Sequence, residues 1–202
     1  MRRLGRSGTR NSKDRRGCTL PAHFQSRYEN DVALLLITHH APKRPEGLRV
    51  LDLGCASGNL ARRFLQFSRY VGVDISSEAI QYAHSQPTVA NASFLVSDIQ
   101  SLNIDEKFDC IVISEVLYYL SVENAEAEVA RHVKMLAPDG VFIISLKDDP
   151  KSHAIGRKIF RSYDFLEGVL FQTKDQPSWS ATRTAERPTS LLFAIKPRKN
   201  SV

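Results

Sequence analysis

The sequence predicts an α/β fold in which a mostly parallel sheet carries helices on both faces. Three observations support it. The apolar runs at 48–53, 108–114 and 141–146 are close to continuous rather than alternating, as in strands buried on both sides. Helical segments separate strand-like runs, most plainly where Val122, Ala125, Val129, Val133 and Leu136 follow a 3.6-residue apolar period. The length of 202 residues suits one domain with a single core.

From the N-terminus, residues 1–18 form a basic tail. Seven basic side chains (Arg2, Arg3, Arg6, Arg10, Lys13, Arg15 and Arg16) against Asp14 account for the whole net charge of +6. With almost no apolar residues to bury, the tail is expected to be disordered. The rest of the chain is neutral, so nucleic acid is a partner only through this tail.

Residues 19–202 form the single domain, in three parts. The N-terminal cap, 19–46, holds a helix over about 22–40, closed by Ala41 and Pro42. The core, 47–147, begins with a strand at 48–53, a turn at Gly54 and Gly58, and a helix at 59–67. A strand at 70–74, a helix at 77–85 and strands at 92–97 and 108–114 come next. Ser121 caps the periodic helix, Pro138, Asp139 and Gly140 stop it, and the strand at 141–146 completes the core. The C-terminal segment, 148–202, is read with a helix at 153–163 and strands at 179–184 and 190–196. Residues 165–171 suit a helix or a strand equally.

Composition narrows the function. At 42% hydrophobic and 25% charged the chain is of ordinary globular type. No apolar run approaches the roughly 18 residues of a membrane span, so no membrane partner is expected. Cys18, Cys55 and Cys110 are odd in number and widely spaced, and no apolar leader is visible, which together lead to an expectation of reduced thiols and a cytoplasmic setting. No His/Asp/Glu set has ligand spacing, so no metal is expected.

The pocket is expected in VLDLGCASGNL, residues 50–60. Counted from Gly54, Ala56 and Asn59 stand where a G-x-G-x-x-G dinucleotide fingerprint needs its second and third glycines, so that pattern fails twice. What stands there is D-x-G-x-x-x-G, from Asp52 to Gly58. A carboxylate ahead of the turn suits a ligand with an ammonium group.

Over about residues 48–147 the chain resembles the class I S-adenosylmethionine-dependent methyltransferases. The resemblance implies a Rossmann-like, doubly wound, mostly parallel seven-stranded sheet and S-adenosylmethionine as cofactor. It places Asp52 at the methionine amino group and Gly54, Cys55, Ala56 and Gly58 along the methionine moiety. Asp74, twenty residues after Gly54, would take the ribose hydroxyls, with Ile75 on the adenine. Asp98 would accept from the adenine amino group, with Ile99 beside it. Ser114 opens SEVLYYL, which faces donor and acceptor, and VKMLAPDG resembles the turn before the fifth strand. EVLYYL and VKMLAP, with Ala56 in the loop, further resemble the nodulation protein S type of small N-methyltransferases acting on an amino sugar.

Methyl transfer is a direct displacement, so the resemblance implies an enzyme without its own nucleophile. In-line orientation can supply about 7–11 kcal/mol of barrier lowering. A base is required only for an acceptor that arrives protonated. Glu115, Tyr118 and Tyr119 are the catalytic candidates, the two tyrosines reading equally as packing residues. Asp148 and Asp149 read as acceptor ligands or as a loop before Pro150, and His153 as a base or a solvent-facing residue at a helix start. Arg27 pairs with the donor carboxylate or makes a surface ion pair, and Tyr28 walls the acceptor. His39 and His40 complement the dipole at a helix end.

The acceptor expected is a small molecule. Two other readings stay open: a methyltransferase on RNA or protein that uses the tail, and a non-catalytic nucleotide-binding protein or NAD enzyme. Monomer and homodimer are both compatible with the sequence.

Overall fold

The computed structural model describes residues 27–63, 67–87, 91–172 and 189–198. The basic tail and the strand expected at 179–184 lie outside the described residues. Seven strands form one sheet: β1 (Leu48–Leu53), β2 (Phe67–Asp74), β3 (Ala92–Val96), β4 (Phe108–Ser114), β5 (Leu136–Lys147), β6 (Tyr163–Gln172) and β7 (Thr189–Pro197). The helices are α1 (Arg27–His40), α2 (Asn59–Arg63), α3 (Ser77–Ser85), α4 (Val122–His132) and α5 (Pro150–Ser162). The strand order is β3-β2-β1-β4-β5-β7-β6. The first five strands are parallel, and β7 and β6 are antiparallel additions at one edge. This is a doubly wound, Rossmann-like sheet that reverses direction between β1 and β4, where such folds open a crevice at the carboxyl ends of the strands.

Strand alternation divides the apolar residues into two cores. Leu51, Leu53, Ile111, Ile113, Phe142, Ile144, Phe193 and Ile195 pack with Ala125 and Val129 of α4 and Ile155 and Ile159 of α5. Val50, Cys110, Val112, Val141, Ile143, Leu192 and Ala194 face the other way, onto Ala33, Leu36 and Ile37 of α1, Leu60 and Ala61 of α2, and Ile80 and Ala83 of α3. Burial on both faces is why these strands read as apolar runs. By the same alternation Asp52, Ser145 and Ser190 fall on the face that carries α1.

Several boundaries differ from the sequence reading. Phe67 begins β2 rather than ending a helix; it is buried against Tyr70, with ring centroids 5.2 Å apart, so tertiary packing overrides its helical neighbourhood. The periodic helix ends at His132, and Leu136 already pairs with Phe108 as a β5 residue, so the apolar period outruns the helix by one turn. The last helix begins at Pro150 rather than at 153, because Asp149 caps it by accepting from the Ser152 N–H at 2.8 Å. Residues 165–171 lie in β6, an edge strand whose exposed Phe165 and Leu170 obscure any periodicity.

At the amino edge of the sheet, Asp109 is enclosed and receives four hydrogen bonds. Arg44 Nε and Arg49 Nη2 donate to Oδ1 at 3.0 and 2.9 Å, and Arg49 N and Nε donate to Oδ2 at 3.0 and 3.1 Å. Burial works to raise the Asp109 pKa, but the hydrogen bonds from Arg49 and Arg44 outweigh it and hold it below the usual value. A carboxylate depressed in the folded state stabilises above its unfolded pKa, and that contribution is lost as pH falls through the folded value. Asp109→Asn is therefore expected to lose on the order of 1–3 kcal/mol in urea unfolding at neutral pH. The gap from the parent should narrow below about pH 4; a constant gap would contradict the assignment.

Candidate active site

The site forms where β1 ends beside β4. Gly54 (φ +81°) turns the chain, and a Cβ there would stand 2.5 Å from Val116 Cγ1 and 2.8 Å from the Ser114 carbonyl. Only glycine fits such an approach. Gly58 (φ +73°) closes the turn on the other side, where a Cβ would meet the Phe94 ring at 2.7 Å. The turn is tied to β2 as well: the Gly54 and Cys55 N–H groups donate to the Val73 carbonyl at 2.8 and 3.1 Å, and Ala56 N donates to Asp74 Oδ2 at 2.9 Å. Asp74 Oδ1 accepts from Ser76 N, so this strand-end acid holds the turn and the start of α3 together. Ala56 (φ 46°) and Glu115 (φ 56°) are the non-glycine residues with left-handed backbone among those described, and they flank the pocket from β1 and β4. Strained backbone gathers at functional sites.

Asp52 lies under the turn, 1% exposed. Tyr70 Oη donates to its Oδ2 at 2.5 Å, while Oδ1 has no hydrogen-bond partner among the described residues. Burial pushes the Asp52 pKa up to about 7, against the Tyr70 hydrogen bond that favours the charged form, and Asp74 adds to the rise. Ser57 Oγ, in the same turn, is also buried without a hydrogen-bond partner among the described residues. A buried carboxylate with a spare oxygen beneath a glycine turn fits the ammonium end of an amino-acid ligand. Cys55 is buried and its thiol pKa is driven well up by burial, so it is not a nucleophile.

Ile75 is 74% exposed at the end of β2, and Asp98 is exposed past β3, its Oδ1 accepting from Gln100 N at 2.9 Å. Ile99 packs on the core beside it. Arg131 of α4 ties this loop down, donating to the Ile99 and Leu102 carbonyls while pairing with the buried Glu128. The structure thus ties Asp74 directly to the turn, sets Asp52 near enough for the Asp74 charge to act on it, and leaves Ile75 and Asp98 exposed on a neighbouring rim.

On the β4 and β5 side, Ser114 sits next to Ser145 in register. Ser145 Oγ donates to Glu115 Oε1 at 2.6 Å. Burial raises the Glu115 pKa; the Ser145 and Tyr118 hydrogen bonds and Lys147 oppose this, and Glu29 reinforces it. Glu29, on α1, accepts from Ser190 Oγ at 2.6 Å, and Ser190 pairs with Lys147 across β7 and β5. The Lys147 ammonium lies 4.2 Å over the Tyr118 ring, and Tyr119, 65% exposed, packs against Tyr118 at 4.7 Å between centroids. Burial raises the Tyr118 hydroxyl above its ordinary pKa, so it remains a proton donor.

Other candidates lie elsewhere. Asp149 is consumed as a helix cap, and Asp148 Oδ1 pairs with His153 Nε2 at 2.7 Å on the exposed rim. His40 Nε2 meets Glu167 Oε2 at 2.7 Å, latching α1 to β6. Arg27 begins α1, and its side chain and that of Tyr28 lie outside the described residues. The sequence reading missed Tyr70, Glu29, Ser145 and Ser190. For Tyr70 a signal existed, a hydroxyl-bearing aromatic within a buried strand close to a buried acid; Glu29 carried none.

A family model of nodulation protein S (NodS) matches residues 22–159. The chain belongs to the nodulation protein S family. It is similar to the nodulation protein S of Rhizobium tropici, 33% identical over 102 residues, a match that covers 49% of this chain and 43% of that protein. The chain thus spans less than half the length of that relative. By fold it is similar to the N-methyltransferase NodS from Bradyrhizobium japonicum in complex with S-adenosyl-L-homocysteine, at 21% identity and TM-score 0.65, covering 86% of this chain and 87% of that one. It is also similar to the magnesium protoporphyrin IX methyltransferase ChlM of Synechocystis with bound S-adenosylmethionine, at 20% identity and TM-score 0.63, covering 84% and 78%. Among the described residues no helix is long and apolar enough to cross a membrane.

Gly54→Ala is expected to lower stability by more than the roughly 1–2 kcal/mol that a left-handed non-glycine residue costs, because Val116 and the Ser114 carbonyl must also move. Urea unfolding measures this, and a parental midpoint would contradict the close approach.

Proposed function

We propose that this chain is an S-adenosylmethionine-dependent methyltransferase that N-methylates a small-molecule amine of amino-sugar type. The observation that carries the cofactor reading is the enclosed Asp52 with one free oxygen, beneath a turn that Asp74 holds in place. Family membership and the likeness to an N-methyltransferase support the reaction class.

Asp52 would bind the cofactor's amino group, the backbone of Gly54 to Gly58 would line its methionine end, and Asp74 and Asp98 would take ribose and adenine. When bound, S-adenosylmethionine supplies an electrophilic methyl group and a neutral thioether leaving group. The remaining work belongs to the chain, which must align the acceptor, exclude water and manage one proton. An amine attacks only when neutral. Glu115, whose burial raises its affinity for a proton, accepts the ammonium proton, and Ser145 Oγ holds the carboxylate that receives it. Glu29 strengthens the negative field that attracts a cationic acceptor, and Tyr118 and Tyr119 wall the entrance.

Transfer of label from methyl-labelled S-adenosylmethionine to glucosamine oligomers is the expected activity, with no label on fully N-acetylated oligomers. Glu115→Gln should lower kcat by about 10²–10⁴-fold while leaving S-adenosylhomocysteine affinity at the parental level. Activity of the parent should fall as pH drops through the raised Glu115 pKa, since a protonated carboxyl takes no proton. Equal activity in the variant would remove Glu115 as base. Asp74→Ala should weaken S-adenosylhomocysteine by about 1–3 kcal/mol in calorimetry, and unchanged affinity would remove the ribose assignment.

A further inference from the structure

Tyr70 is a core residue with a polar task. Its ring is wedged between Phe67 and Phe94, at 5.2 and 5.9 Å between centroids, which fixes its direction along β2. It is fully buried, as is its partner Asp52. A phenylalanine would fill the same space without the need to satisfy a hydroxyl, so the Oη hydrogen bond to Asp52 Oδ2 is the feature that distinguishes tyrosine here.

Resting on the cofactor reading above, we propose that Tyr70 is a positioning residue. It occupies one Asp52 oxygen so that the other remains for the cationic amino group of the cofactor, and docking of that group converts a neutral Asp52 carboxyl to carboxylate with release of a proton to solvent. The balance is simple. The carboxyl O–H bond breaks, its electron pair stays on the oxygen, the proton passes to buffer, and the ligand ammonium keeps all its hydrogens.

Without a cation beside it, Asp52 stands at about 7 because of burial. The groups that face the pair do not supply the proton. Cys55 of the turn and Cys110 of β4 are buried thiols raised above their ordinary value, and Tyr70 itself is raised well up. Asp74, at the end of β2, disfavours the Asp52 charge, and Arg62 of α2 acts on Tyr70. Among Asp52, Tyr70, Cys55 and Cys110, Asp52 is the member that burial brings to about 7.

The test is calorimetric titration of the full chain with S-adenosylhomocysteine, and with methylthioadenosine, which lacks the amino-acid end, in buffers of differing ionisation enthalpy. At about pH 6 close to one proton should leave per S-adenosylhomocysteine bound, and almost none at about pH 8. Methylthioadenosine should release none at either pH. S-adenosylhomocysteine affinity should fall about tenfold per pH unit below the Asp52 pKa. Tyr70→Phe should move that midpoint to higher pH and leave methylthioadenosine affinity unchanged, which loss of packing alone would not do. Binding of S-adenosylhomocysteine without proton release, or equal release by methylthioadenosine, would overturn the proposal and leave the cofactor reading standing. Failure of both ligands to bind would overturn both. The parent comparison decides the matter even if the variant does not fold.

Discussion

The contact on which the site depends is the approach of the Gly54 backbone to the end of β4. With no Cβ to hold them apart, β1 and β4 stay in register up to Leu53 and Ile113, and the turn crosses directly over the point where the sheet reverses. The hydrogen bonds of the turn and the exit of Glu115 from β4 take their place from that crossing. The turn N–H groups reach Val73 and Asp74 on β2, and Glu115 leaves β4 in a left-handed conformation, with its N–H on the Ser145 carbonyl. A side chain at position 54 would displace the Ser114 to Val116 segment and with it the proposed base. The packed cores on either face make this geometry rigid, and the Asp109 network secures the opposite edge of the same strands.

The electrostatics have a common sign. Asp52 and Glu115 are both held where burial opposes their charge, and the nearby acids Asp74 and Glu29 add to the opposition. Carboxylates so placed are relieved by cations. A sulfonium cofactor with an ammonium end and an amine acceptor satisfy that condition, whereas a pyrophosphate would aggravate it. Under the proposed function, Asp52 and Glu115 would divide two tasks between two ends of the pocket, one binding a cation and the other discharging one.

Much of the architecture was legible because burial on both faces leaves a direct trace in sequence. Strands β1 and β4 stand where their apolar runs placed them, and α3 spans Ser77–Ser85, opened by serine and Glu78 as read. Readings failed where the trace is ambiguous. Phe67 belongs to a strand because of what it packs against, and β6 is an edge strand with one face exposed, so its apolar residues carry no single period. In the site, Asp52, Asp74 and Asp98 were singled out through the family resemblance, which rests on acids that stand beside the glycine turn or at or close after the end of a strand. Glu29 was not, since the distance in sequence from α1 to β4 contains no local constraint and only the docked helix brings it near Glu115.

The central claim is that the turn selects the amino-acid end of S-adenosylmethionine over a dinucleotide. Calorimetric titration of the chain with S-adenosylhomocysteine beside NAD tests it most directly. Micromolar binding of S-adenosylhomocysteine, with no heat from NAD at the same concentrations, is the expected result. Binding of NAD at equal or higher affinity, or no binding of S-adenosylhomocysteine, would contradict it.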